Sequence, residues 1–318
     1  MTDDRSATAR RTPRAPRAPR ALLPWFSGLL VAGSTLLHVP VLLLAALAKA
    51  VLRMPAWRPR FDRVLMAIAE SWIGFNSLLI DRFTQTRFVV EGLEALEPRG
   101  HYLVLANHQS WVDIPVLQKV LNRRIPLLRF FLKSQLFWVP LLGVAWWALD
   151  FPFMKRYPKS KIAKNPALAG RDLEVTRRAC GKFRHIPVSV MNFVEGTRFT
   201  PAKHRAQNSP FRHLLKPKAG GVAFVIGAMG EGIQSVLDVT LHYDIGTPTL
   251  VDLFGDRIGT IRVHIVERPV PPEFAGRDYE SDRAFRVQFQ AWLNTLWHEK
   301  DARLASWLAS GDEASRAG

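Results

Sequence analysis

From Ala21 to Ala48 the chain runs for 28 residues without an Asp, Glu, Lys or Arg. A helix needs only roughly 20 such residues to cross a bilayer, so this stretch predicts a membrane segment. It is longer than the ~7–15 apolar residues of a cleaved signal and lacks a convincing small-residue cleavage site. The preceding "MTDDRSATARRTPRAPRAPR" is rich in Arg, Ala and Pro, cannot bury a core, and reads as a disordered basic tail over residues 1–20.

Six arginines precede the apolar stretch, and Lys49, Arg53, Arg58, Arg60 and Arg63 follow it. A single span would leave one basic cluster outside, against the positive-inside tendency. Two arrangements are expected to satisfy that tendency. One is a helical hairpin broken near His38-Val39-Pro40. The other is one span with a return through "VLMAIAESWIGFNSLLI" (64–80), in which Glu70 is an unfavourable membrane residue. Either places the remainder of the chain on the cytoplasmic side, and residues 21–81 are expected to form the anchor.

Beyond residue 82 the pattern becomes alternating α and β, and 82–275 is the expected catalytic-sized domain. "RFVVEG", "HYLVLANH", "LLRFFLK" (127–133), "PVSVMNFVEG" (187–196), "VLDVTLHY" and "TIRVHIVERPV" read as strands. "SQLFWVPLLGVAWWAL" (134–149) and "NPALAGRDLEVTRRACGKF" (165–183) read as helices between them. The expected fold class is therefore α/β, a largely parallel central sheet with helices on both faces, preceded by the membrane-anchoring helical segment. "DRAFRVQFQAWLNTLWHEKDARLASWL" repeats apolar residues at helical spacing and predicts an amphipathic helix within residues 276–318.

The formal charge of +17 and pI near 10.7 favour anionic partners: nucleic acid, lipid headgroups or phosphorylated substrates. Cys180 is the only cysteine, so no intrachain disulfide or Cys-rich metal site exists, and no metal is expected. A membrane-tethered module binding nucleic acid or another anion would account for the charge. No RNA-recognition, zinc-finger, helix-turn-helix or Walker A pattern supports it, and no nucleic acid is expected.

In "VLANHQSWVDIPVL" (104–117) a polar break, Asn107-His108-Gln109-Ser110, interrupts an apolar run at a strand–loop–helix edge, with Asp113 in the first helical turn. On one continuous helix His108 and Asp113 would diverge by about 140°. They meet only if the chain turns between them, and the carboxylate then orients the imidazole as a general base requires. Ser110-Trp111-Val112-Asp113 also has the spacing of a helix capping box. A His-x4-Asp pair arises by chance roughly 0.4 times in a chain of this composition, so alone it weighs little.

Its company changes that weight. "NHQSWVD" (107–113), "FPFMKR" (151–156), "NFVEGTRFT" (192–200) and "VLDVTLHY" (236–243) stand in the order and approximate spacing of the four blocks of membrane-bound glycerolipid acyltransferases. The sequence resembles the 1-acylglycerol-3-phosphate O-acyltransferase (PlsC-like lysophospholipid acyltransferase) family, and looks most like its YihG-type bacterial branch. The resemblance covers about residues 85–245. It implies that His108 is the catalytic base, that Asp113 is its partner, and that Glu195, Gly196, Thr197 and Arg198 form part of the acceptor site. It further implies acyl transfer from an acyl-CoA or acyl-carrier-protein thioester to lysophosphatidic acid or another lysophospholipid, with no cofactor, at the cytoplasmic face of a bacterial inner membrane carrying anionic lipid. Val194 replaces the usual proline before Glu-Gly-Thr-Arg, Lys155 replaces the usual acid or small residue of the second block, and Asp238 stands in a normally apolar fourth block.

The residues support that chemistry independently. A sugar-like hydroxyl is a weak nucleophile toward a thioester, and an imidazole can take its proton. There is no Gly-x-Ser-x-Gly elbow, which favours direct transfer over an acyl-enzyme on Ser110 or Cys180. Glycine permits close backbone approach, and Arg198 offers a planar fork suited to a phosphate monoester. Lys155 and Arg156 add charge, and "KPKAGG" (216–221) places Lys218 in either an anion-binding turn or a solvated basic loop. Trp138, Trp146, Trp147, Phe130, Phe131 and Phe137 serve either the core or a bilayer interface.

Overall fold

The computed structural model describes residues 22–52, 54–154, 181, 187–229, 232–233, 235–274, 277, 279 and 281–316. The basic tail, the 165–183 helix apart from Gly181, Lys155, Arg156 and Cys180 lie outside the described residues.

Two long helices open the described chain, α1 (Leu23–Leu52) and α2 (Arg58–Phe83), joined through a 3-10 turn at Pro55–Trp57. They pack antiparallel. Lys49 Nζ meets Asp62 Oδ1 at 2.5 Å, His38 Nε2 and Ser71 Oγ lie 3.3 Å apart, and the Trp72 indole donates to Thr35 Oγ1 at 3.1 Å. The chain thus reverses between α1 and α2 through the turn at Pro55–Trp57, so of the two expected arrangements the helix through 64–80 is the returning arm, and the break near His38-Val39-Pro40 does not occur. Pro40 lies inside α1, where its missing N–H costs one hydrogen bond that a long, laterally packed apolar helix tolerates. Both helices are long and apolar enough to cross a membrane, which points to membrane association.

Six strands follow in the order β1-β8-β7-β2-β6-β3: β1 (Arg87–Glu91), β2 (His101–Ala106), β3 (Leu128–Phe130), β6 (Val188–Phe193), β7 (Ser235–Tyr243) and β8 (Thr260–Pro269). Four of the five pairings are parallel. Only β7 and β8, consecutive in the chain, run antiparallel. The expected single strand over 127–133 divides at Phe131, because β4 (Leu132–Lys133) leaves the main sheet to pair with β5 (Phe153–Met154). The expected helix over 134–149 divides as well, into a 3-10 turn (Ser134–Trp138) and α4 (Leu142–Ala148). Pro140 forces Val139 into extended conformation, and Leu141 reverses the chain at a φ of 64°.

Side chains alternate across β2. Tyr102, Val104 and Ala106 enter a core with Leu65, Ala69 and Ile73 of α2 and with α3 (Asp113–Leu121). Leu103 and Leu105 enter the opposite core, built by α6 (Ala219–Met229) and α8 (Arg283–Arg316). The remaining short helices are α5 (Pro201–Gln207) and α7 (Leu250–Phe254). Helices therefore cover both faces, and the apolar hairpin is itself one of the covering layers.

Candidate active site

The parallel strands β2, β6 and β7 end at one edge of the sheet, where crevices of α/β folds form. β2 ends at Ala106, and Asn107 prolongs its pairing with β7 through a side chain. Its amide donates to Leu241 O at 3.0 Å, and its Oδ1 accepts from Leu241 N–H at 2.8 Å. Gln109 Nε2 donates to the same carbonyl at 3.0 Å. The main chain is thereby freed to turn into the loop carrying His108.

The predicted pair meets. His108 Nδ1 lies 2.7 Å from Asp113 Oδ2, which also accepts from the N–H groups of Gln109 at 2.7 Å and Ser110 at 3.0 Å. The Tyr243 hydroxyl donates to the other oxygen, Oδ1, at 2.7 Å. Asp113 is fully buried, and these four donors replace its water. Burial, reinforced by the adjacent Asp113 charge, raises the Tyr243 hydroxyl well above its usual range and keeps it a donor. Because a carboxylate only accepts, the proton sits on Nδ1, leaving Nε2 with a free lone pair and no hydrogen bond among the described residues. The Phe193 ring stacks on the imidazole with centroids 3.9 Å apart, fixing its plane.

The capping-box geometry is half present. Asp113 reaches back to the Ser110 N–H as a box acid does, but Ser110 Oγ accepts from Val112 N–H at 2.7 Å and stays buried. The helix begins at Asp113 itself. One carboxylate therefore holds the amides of the loop before the helix and the imidazole together.

Glu195-Gly196-Thr197-Arg198 follows β6 after the single residue Val194 and faces this loop. Glu195 Oε1 accepts from the His108 N–H at 3.0 Å and Oε2 from the Leu215 N–H at 3.3 Å, while Phe199 N–H donates to His108 O at 2.7 Å. Burial pushes the Glu195 carboxyl up to about 8, against those two amide donors and the Lys300 ammonium. Gly196 has a φ of +68°, and a Cβ there would approach Lys218 Cδ and Nζ to 3.0 Å. Lys218 is thus brought against the glycine turn. Arg198 is exposed, forms no ion pair among the described residues, and rests over the Trp111 ring at 4.8 Å.

Five participants were not assigned from sequence: Asn107, Trp111, Phe193, Lys203 and Tyr243. Lys203 pins the loop by donating to Thr197 Oγ1 at 2.7 Å and to Arg198 O at 3.0 Å. Four lie inside quoted blocks, which was the only signal available, because their partners are remote or backbone atoms. Among the described residues no cluster of three or more His, Cys, Asp or Glu could hold a metal ion.

The family model "Acyltransferase" matches residues 87–243, which run from the first residue of β1 to the last of β7 and include every site element described above. Over these residues the chain is similar to the acyltransferase family. Lysocardiolipin acyltransferase 1 of Gallus gallus is 23% identical over 272 residues, 81% of this chain and 66% of that protein. The 1-acyl-sn-glycerol-3-phosphate acyltransferase delta of Homo sapiens is 24% identical over 262 residues, 78% and 61% respectively. The 2-acyl-1-lysophosphatidylinositol acyltransferase of Saccharomyces cerevisiae is 24% identical, with 68% and 64% covered. The chain spans about three fifths to two thirds of the length of these relatives. The crystal structure of the 1-acyl-sn-glycerophosphate (LPA) acyltransferase PlsC from Thermotoga maritima is similar, with a TM-score of 0.41 at 18% identity, over 80% of this chain and 93% of that one.

Proposed function

We propose that this acyltransferase domain transfers a fatty acyl group from an acyl thioester to the free hydroxyl of 1-acyl-glycerol-3-phosphate, giving phosphatidic acid. The observation that carries the reading is the His108–Asp113 pair, which leaves Nε2 as an unpartnered base at the sheet edge. Nε2 takes the hydroxyl proton as the oxygen attacks the thioester carbon, and Asp113 stabilises the resulting imidazolium. Collapse of the tetrahedral intermediate breaks the C–S bond, and the imidazolium returns its proton to the leaving thiolate. Arg198, with Lys218 against Gly196, supplies cations for the acceptor phosphate, and Lys155 and Arg156 complete that assignment from sequence. The donor is acyl-CoA or acyl-carrier protein, and no cofactor takes part.

The antiparallel hairpin supports a cytoplasmic domain, because it returns the chain to the end of α1 that follows the six-arginine tail, while Lys49, Arg58, Arg60 and Arg63 lie at the turn on the opposite end. We assign it to a bacterial inner membrane with anionic lipid, in the YihG-type branch. A second acceptor class, another lysophospholipid, follows from relatives named for lysocardiolipin and lysophosphatidylinositol.

Purified protein supplied with labelled acyl-CoA and a panel of lysophospholipids tests both readings. Lysophosphatidic acid is expected to be the best acceptor, and His108→Ala to lose at least about 10³-fold in turnover with little change in thermal stability. A folded, fully active His108→Ala would overturn the mechanism, and preference for another headgroup would move the assignment to the second class.

A further inference from the structure

In soluble helices the large apolar side chains face the protein and the small or polar ones face water. Two neighbouring elements here reverse that rule. In α1 the buried positions are Ser27, Ser34, Val39 and Leu42, two of them small and polar, while Trp25, Leu29, Leu37 and Leu44 are exposed. In the domain, the segment 134–149 carries no charged residue in a chain of net charge +17. Within it Gly143 and Ala145 face inward, and Gly143 packs so tightly that a Cβ would lie 1.8 Å from Phe137 O. Leu141, Val144 and Trp147, at i, i+3 and i+6, form the outward stripe. Trp147 is 63% exposed, and Trp138, on the preceding 3-10 turn, 81%. Phe130, from the same aromatic-rich region, is buried, so the outward tryptophans are not surplus core.

Helix α4 packs against α1, so the two exposed apolar faces lie on neighbouring elements. Exposed apolar patches of this kind mark contacts with another apolar phase. We infer that Trp138, Leu141, Val144 and Trp147 form a second lipid-contacting surface, by which the acyltransferase domain itself is seated in the bilayer interface beside α1. Indole rings favour that interfacial depth, and Lys133, exposed just before the segment, suits an anionic headgroup layer. The inference rests on α1 lying in the bilayer.

The test uses the full chain in vesicles of phosphatidylethanolamine and phosphatidylglycerol, with Cys180→Ser as background. Single cysteines replace Trp138, Trp147, Leu37 of α1 and Val287, an exposed residue of α8, and each carries an environment-sensitive fluorophore. The expected result is blue-shifted emission at 138 and 147, quenched by brominated acyl chains to within about twofold of the Leu37→Cys signal, with Val287→Cys water-like. Water-like emission at 138 and 147 with lipid-like emission at 37 would overturn the seated domain and leave the anchor standing. Blue-shifted but unquenched labels at 138 and 147 would assign the patch to a second copy of the chain and overturn the lipid contact. A water-like Leu37→Cys would overturn the bilayer reading of α1, and the second surface with it.

Discussion

Asp113 concentrates two duties in one carboxylate, and a single substitution separates them. Asp113→Asn keeps an oxygen for the Gln109 and Ser110 amides but cannot reproduce the charge that holds Nδ1–H and stabilises an imidazolium. The expected outcome is a fall in kcat of about 10³–10⁴, read by steady-state kinetics, whereas a mere cap would cost about 1 kcal/mol of stability and spare turnover. Glu195 predicts a pH effect of defined sign. Its folded-state carboxyl titrates near 8 against an ordinary 4.5, so between those values the folded chain keeps a proton the unfolded chain has released. Its contribution to stability is complete below pH 4.5 and is lost as pH rises through 8. Thermal melts at pH 5 and 8.5 are expected to show a smaller decline for Glu195→Gln than for the parent chain, and equal declines would contradict the assignment. At this scale the pair His108 and Asp113 was legible because they stand only five positions apart. Tyr243 was not, because its hydroxyl reaches Asp113 across 130 positions and only the pairing of β2 with β7 brings it there.

Prolines show why elements were read unevenly. Pro40 and Pro140 carry the same local signal, yet α1 continues through the first and the 134–149 segment breaks at the second. The difference lies in surroundings: α2 runs alongside α1, while Pro140 sits at a reversal where Leu142 N–H bonds Pro140 O. The unorthodox Asp238 finds its explanation in another element. Lys300 of α8, fully buried, places Nζ 2.7 Å from Asp238 Oδ1 and donates to Val239 O at 2.5 Å. Burial pulls this ammonium's pKa down while Asp238 holds it up. Removing one partner leaves a buried charge uncompensated, so Asp238→Leu is expected to cost about 3–5 kcal/mol, whereas Asp238→Leu with Lys300→Met is expected to restore most of that loss. Denaturation of the two single variants and the double variant measures the coupling.

For the whole molecule, the charge-free stretch 21–48 announced membrane association, but not that the hairpin also roofs the sheet. Lateral packing leaves no separate signal in an apolar run, since lipid and core demand the same side chains. A chain truncated to begin at residue 82 would strip Leu65, Ala69 and Ile73 from the core that also holds Val104, Ala106 and Val116. It is expected to aggregate and to lose cooperative unfolding, not merely to detach from membranes, and its soluble fraction and melting curve are the check. The mainly parallel sheet was legible from alternating apolar runs, and the reversal at β7–β8 was not, because strand direction depends on how the intervening Asp244–Gly259 folds back. β2 lies at the centre of this arrangement, with alternate residues gripped by opposite cores and its end stitched to β7 by Asn107. A lipid-driven strain on the roofing hairpin must therefore deform both layers before it displaces the imidazole. In the proposed reading His108 is thus held from two sides, and a change in membrane thickness or curvature is expected to tilt the domain as a body rather than to move His108 relative to Asp113.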